Sequence, residues 1–152
     1  MEQPAGLTAA QSRAWRRFLR AHAGVVAQLE RDLQSAHDLP LAHYDVLVQL
    51  SEAPGRALRM TDLAQSVLLS RSGLTRLVDR LERDGLVRRE ACPSDLRGTL
   101  AVLTDAGAER LREAWPTHLA GVIERVVGRY TEEELALLGD LLGRMLDDEP
   151  AP

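Results

Sequence analysis

Apolar residues recur at helical spacing over long stretches of this chain and switch to short extended runs near its middle. From Gln11 to Ala36 the positions Trp15, Leu19, His22, Val26, Leu29, Leu33 and Ala36 share one face, which predicts a long amphipathic helix. Pro40 marks its end. Leu41 to Leu50, with Tyr44, Leu47, Val48 and Leu50, predicts a second helix closed by Ala53-Pro54-Gly55. Ala57-Leu58-Arg59 reads as a short extended stretch, and Thr61-Asp62 supplies an opening cap for a very short helix through Val67. Ser70 offers the cap of the next helix. There Leu74, Leu77, Val78 and Leu81 fall at i, i+3, i+4 and i+7, down to the Asp84-Gly85 turn. Two short helices joined by a tight turn form a helix-turn-helix arrangement.

Beyond that turn, Leu86 to Glu90 and Thr99 to Leu103 read as two strands around a loop containing Pro93, Ser94, Asp95 and Gly98, so a hairpin is expected. Thr104-Asp105 caps a further helix whose stripe runs through Leu111, Trp115, Leu119, Val122, Ile123, Val126 and Tyr130, with a kink expected at Pro116. Thr131-Glu132-Glu133-Glu134 is a capping-box signature opening a last helix with Leu135, Leu138, Leu141, Leu142 and Met145. The acidic end from Asp147 to Pro152 is expected to fray. The fold class is therefore mainly α with a small β-hairpin wing, a winged helix-turn-helix flanked by long N- and C-terminal helices. Within one structural domain, residues 1–53 form the N-terminal helices, 54–103 the winged lobe and 104–152 the C-terminal helices.

A chain of 152 residues is long enough to bury a core without a metal or disulfide staple. Cys92 is the only cysteine, no apolar run approaches the roughly 18 residues of a membrane span, and the N-terminus lacks a secretory signal pattern. A cytoplasmic protein without membrane contact is expected. The net charge of −4 looks wrong for a nucleic-acid binder, because phosphate neutralisation supplies most non-specific affinity. Its distribution changes the picture: residues 1–53 carry −1, 54–103 carry +3 and 104–152 carry −6. All 19 basic residues are arginine, suited to bidentate contact with guanine and phosphate, although a compositional bias explains this equally well.

With Leu74, Leu77, Val78 and Leu81 inward, the outward face of their helix carries Arg71, Ser72, Thr75, Arg76, Asp79 and Arg80. Such a face fits the major groove, with Arg71, Ser72, Thr75 and Arg76 in the first two turns and Gly73 keeping that end slim. Taken alone, the face is equally well a solvated one with Arg–Asp pairs; the neighbouring helix and hairpin shift the balance. The hairpin loop places Arg97 between Asp95 and Gly98, where an arginine can enter a narrow minor groove. Asp95 can position that arginine, bond its own backbone as a turn residue, or do both.

The string from Met60 to Thr104 resembles the MarR family of bacterial transcriptional regulators. Thr61-Asp62-Leu63-Ala64 is similar to the first motif helix and Leu74 to Glu82 to the recognition helix. Asp84 to Arg89, Asp95-Leu96-Arg97-Gly98 and Leu103 to Gly107 are similar to the hairpin and the start of the helix after it. The resemblance implies a homodimer of intertwined terminal helices presenting two motifs to a roughly palindromic double-stranded operator. It assigns Thr75, Arg76 and Arg80 to the major groove or its phosphates and Arg97 to the wing tip; Arg71 and Ser72 extend the set by helix geometry. Leu96 departs from the basic or polar residue common in that loop.

The resemblance also implies a small aromatic or phenolic effector that releases DNA, as a repressor of its own or neighbouring genes would require. Trp15, Arg16, His22, His43 and Tyr44 are the candidate pocket residues, each equally well a packing residue. A redox-responsive regulator acting through Cys92, a ligand-independent DNA binder and a protein-interaction module are the alternatives. Arg88 and Arg89 can lower the Cys92 thiol pKa, but a small residue capping a strand is the plainer role. His22, His37, His43 and His118 lack paired metal-ligand spacing. No phosphate loop, metalloprotease spacing or nucleophile elbow occurs, so neither an enzyme nor a cofactor is expected.

Overall fold

A computed structural model describes residues 6–67 and 71–146, without the side chains of Arg71 and Leu96. The order of elements is α1 (Ala9–His37), α2 (Leu41–Glu52), β1 (Ala57–Arg59), α3 (Met60–Ser66), α4 (Arg71–Arg83), β2 (Val87–Cys92), β3 (Asp95–Leu103), α5 (Asp105–Arg125) and α6 (Glu132–Leu146). The fold is mainly helical with one antiparallel sheet in the order β1-β3-β2. No described helix is long and apolar enough to cross a membrane.

Two compact units divide the chain. One, residues 30–118, holds the helix-turn-helix and sheet around a single core that includes Leu33, Tyr44, Leu47, Leu50, Leu63, Leu74, Val78, Leu81, Val87 and Leu103. Each fully buried aliphatic side chain there contributes about 1.5–3 kcal/mol. α2 belongs to this core, packing with α3 and the sheet. The other unit, residues 1–29 and 119–152, is poorly buried: among the described residues α6 has no buried side chain, and Leu137, Leu141, Met145 and Leu146 are exposed.

Local chemistry accounts for most helix ends. Thr131 and Glu134 exchange reciprocal bonds, the Thr131 N–H donating to Glu134 Oε2 at 2.9 Å and the Glu134 N–H to Thr131 Oγ1 at 3.3 Å, which is the expected capping box. Thr8 and Gln11 make the same exchange before α1, a cap the apolar periodicity gave no reason to seek. The Gly107 N–H donates to Thr104 Oγ1 at 3.0 Å, so Thr104 caps α5. Gly85 stands at φ 74° after α4, and the Leu86 N–H reaches back to Leu81 O at 2.9 Å, a Schellman closure that favours glycine.

Some expectations need correcting. α3 starts at Met60, so Thr61 and Asp62 lie in its first turn rather than before it; Arg59, still paired to β3, occupies the cap position without a side-chain bond. The loop around Pro93 is shorter than expected, because β2 runs to Cys92 and β3 begins at Asp95; cross-strand pairing outweighs the turn propensity of Asp95. α5 continues through Pro116 but ends at Arg125, giving way to a short 3₁₀ turn at Val127–Arg129 before Tyr130. Ser70 and 147–152 lie outside the described residues.

Candidate nucleic-acid interface

α4 buries Leu74, Val78 and Leu81 and leaves Ser72, Thr75, Arg76, Asp79 and Arg80 exposed, as its apolar spacing predicts. The Ser70 cap and the Arg71 side chain fall outside what is described. The Arg76 side chain has no ion pair or hydrogen bond among the described residues. That of Arg80 has none either, and its charge lies near the half-buried His43 of α2.

The wing places a further candidate arginine, Arg97, on a bulge. Ala91 pairs with Thr99 and Cys92 with Asp95, so Leu96, Arg97 and Gly98 have no partner on β2. Asp95 Oδ1 accepts the Arg97 backbone N–H at 3.0 Å, closing the local turn. The guanidinium that Asp95 meets belongs to Arg59, at 3.6 Å, and Arg59 also donates to Ser94 Oγ at 2.8 Å. Asp95 thus serves as a turn residue and as an arginine partner, but the arginine comes from β1. The Arg97 side chain has no described partner.

Another arginine, absent from the sequence-based set, joins the two elements. Arg89 on β2 reaches Glu82 Oε2 at 2.6 Å, Asp79 Oδ1 at 2.7 Å and the Thr75 carbonyl at 3.3 Å, all on α4. Its own N–H donates to Glu82 Oε1 at 3.1 Å. The sequence signal for it was weak: two acidic residues one turn apart, followed by Arg88-Arg89 after the turn, without a way to tell which arginine bends back. Between α4 and the wing lies a cleft of about 420 Å³ with Arg59, Thr75, Arg89 and Arg97 on its walls.

The effector candidates fall in both units. Trp15, Phe18 and His22 form a stacked, exposed row along α1, with ring centroids 6.2 and 6.5 Å apart, and Arg16 beside them is exposed. Tyr44 is buried and stacks on His118 at 4.5 Å, and its hydroxyl has no hydrogen-bond partner among the described residues. Burial lowers the pKa of His118, and burial together with Arg80 lowers that of His43. Cys92 is buried in the wing, where a hydrogen bond with Ser94 Oγ at 3.3 Å lowers its thiol pKa. Among the described residues no group of three or more His, Cys, Asp or Glu side chains is placed to hold a metal.

Burial, with Asp45 and Glu52 adding, pushes the Tyr44 hydroxyl up from 10.0 to about 12. The folded protein therefore keeps Tyr44 neutral where the unfolded chain begins to ionise. Stability is expected to fall as pH rises through the interval from 10.0 to about 12. Denaturant titrations across that interval should show Tyr44→Phe losing less stability than wild type. At neutral pH the variant should match wild type, since its missing hydroxyl had no partner to lose. Parallel losses in the two proteins would contradict this reading.

A short helix, a second helix with an outward arginine face, and a three-stranded sheet whose hairpin carries a further arginine define a winged helix-turn-helix DNA-binding protein. The sequence profile of the MarR family matches residues 37–98. AbsC, a MarR family transcriptional regulator from Streptomyces coelicolor, is 38% identical with a TM-score of 0.90, over 95% of this chain and 97% of that one. Sco3205 from the same organism, solved in complex with DNA, is 42% identical with a TM-score of 0.90, over 98% of this chain and 93% of that one. The HTH-type transcriptional regulator MhqR of Bacillus subtilis is 31% identical over 86 residues, which is 57% of this chain and only 59% of MhqR. The chain belongs to the MarR family of winged helix-turn-helix transcriptional regulators, which are DNA-binding proteins rather than enzymes.

Proposed function

We propose that this chain acts as a homodimeric repressor of its own or neighbouring genes, bound to a roughly palindromic operator and released by a small aromatic or phenolic ligand. The observation that carries the DNA reading is the division of labour among the lobe's arginines. Arg59, Arg83, Arg88 and Arg89 are engaged with carboxylates, a hydroxyl or carbonyls of the lobe itself. The side chains of Arg76, Arg80 and Arg97, which the family resemblance assigns to DNA, have no ion pair or hydrogen bond among the described residues. Thr75 and Ser72 complete the exposed helix face, Arg71 remains a candidate whose side chain lies outside what is described, and Asp95 shapes the turn behind Arg97. The DNA complex of Sco3205 supports the same use of this fold.

The dimer reading is supported by the apolar side chains left uncovered on the terminal helices, which a second copy would bury. Two-fold symmetry then sets half-sites about one helical turn apart. The Trp15–Phe18–His22 row supports a planar aromatic ligand, with Arg16 as a polar handle; His43 and Tyr44 are further candidates, and Tyr44 is already occupied in packing against His118. Oxidation at Cys92 is the weaker reading, because the thiol is buried.

A mobility shift across the upstream region, repeated at rising salt, tests the DNA reading: a specific complex that weakens steeply with salt is expected. Absence of any specific complex overturns it. Light scattering should return a dimer mass, and a monomer at micromolar concentration would contradict the architecture. A ligand that raises thermal stability should also displace the DNA. Stabilisers that never displace it would favour a ligand-independent regulator.

A further inference from the structure

We propose that Arg89 is a positioning residue that locks the recognition helix to the wing, so that Thr75 and Arg76 on one element and Arg97 on the other meet a single duplex together. This rests on the DNA reading above. The guanidinium of Arg89 contacts three consecutive turns of α4, at the Thr75 carbonyl, Asp79 and Glu82, while its backbone N–H holds the second Glu82 oxygen. Its side chain is 24% exposed, against 41% for Arg59 and 54% for Arg88, so it is largely withdrawn from the surface DNA would touch.

The core beneath α4 cannot do this job alone. Leu74, Val78 and Leu81 hold the helix down and choose its buried face, but apolar contact is non-directional and sets the rotation about the helix axis less closely than charged hydrogen bonds do. The planar fork of an arginine with two carboxylates and a carbonyl is directional, and it fixes the rotation of α4 against a strand. That strand pairs with β3, which carries the bulge bearing Arg97. One side chain thereby sets the angle between the two DNA-facing elements.

Positioning and mere charge compensation predict opposite signs for one variant. Asp79→Asn/Glu82→Gln removes two negative charges, so a protein limited by electrostatics would bind DNA more tightly. If Arg89 positions α4, the same variant loosens the helix and weakens binding to a duplex selected from a random pool. The full-length protein should show Arg89→Ala and Asp79→Asn/Glu82→Gln each losing about tenfold for the selected duplex, and Arg89→Ala within about twofold of wild type for random duplex. The salt slope of Arg89→Ala should stay unchanged, where loss of a phosphate contact would lower it by about one.

Arg89→Lys should not restore the selected-duplex affinity, because one ammonium cannot span both carboxylates and the carbonyl. Arg88→Ala, which removes the same charge from a side chain paired with Glu90, should leave the selected-to-random ratio as it is. Tighter or unchanged binding by Asp79→Asn/Glu82→Gln, or a slope reduced by about one in Arg89→Ala, would overturn the proposal. Should wild type select no duplex at all, the DNA reading fails, and amide hydrogen exchange judges the clamp separately. Arg89→Ala should then exchange faster along α4 and β2 at matched global stability; unchanged rates there would sink it.

Discussion

An Arg76→Ala/Arg97→Ala double variant is expected to lose about two orders of magnitude or more in operator affinity, since each well-placed arginine contact contributes about 1–3 kcal/mol. The two residues sit on different elements, Arg76 on the exposed face of α4 and Arg97 on the wing bulge, and neither side chain has an ion pair or hydrogen bond to lose among the described residues. Folding should therefore be untouched, and thermal unfolding of the variant should superpose on wild type. Arg83→Ala is the matched control: that side chain donates to the Asp79 carbonyl on its own helix at 3.3 Å, so its removal should alter affinity far less. A gel shift in which the double variant binds as wild type does would remove both residues from the interface.

Gly107→Ala is expected to destabilise the protein by about 2–3 kcal/mol, the cost of forcing an extra carbon into a packed site. A Cβ built there would lie 2.1 Å from the Leu86 carbonyl oxygen and 2.7 Å from Leu103 Cδ1. Helix propensity alone would favour the substitution by about 1 kcal/mol, but the steric term is larger because the obstacle is backbone. That oxygen already accepts the Thr104 N–H at 3.1 Å, and the Gly85 carbonyl beside it accepts the Thr104 hydroxyl at 2.7 Å. Little room is left for it to move. A melting-temperature drop of about 5–10 °C should follow. Gly24→Ala in α1, where a Cβ meets nothing within 4 Å, should not lower stability, so equal effects at the two glycines would contradict the steric account.

Much of the architecture was legible locally. The spacing of Leu74, Leu77, Val78 and Leu81 told which face of α4 is buried, and Thr104, Thr131 and Gly85 marked helix ends through bonds made within a few residues. Where the periodic reading slipped in the hairpin, a distant partner was responsible. β1 spans Ala57–Arg59 as expected, whereas α3 starts at Met60, one residue ahead of Thr61-Asp62, and pairing with β2 recruits Asp95 into β3. The capping box of Thr8 and Gln11 is local too, but it precedes the apolar stripe of α1, and periodicity alone does not mark it.

The amino-acid sequence by itself determined the order of elements, the buried stripe of each motif helix and the arginine-bearing character of α4 and the wing, because these depend on periodicity and on bonds between near neighbours. Only the tertiary structure decided how the arginines divide their work. Arg59 turns to Ser94 and Asp95, Arg89 to Asp79 and Glu82, while the Arg76 and Arg97 side chains meet no carboxylate among the described residues. A guanidinium is chemically the same at every position. Which carboxylate it meets is set by the approach of strands and helices far apart in the chain, and no local pattern records that approach.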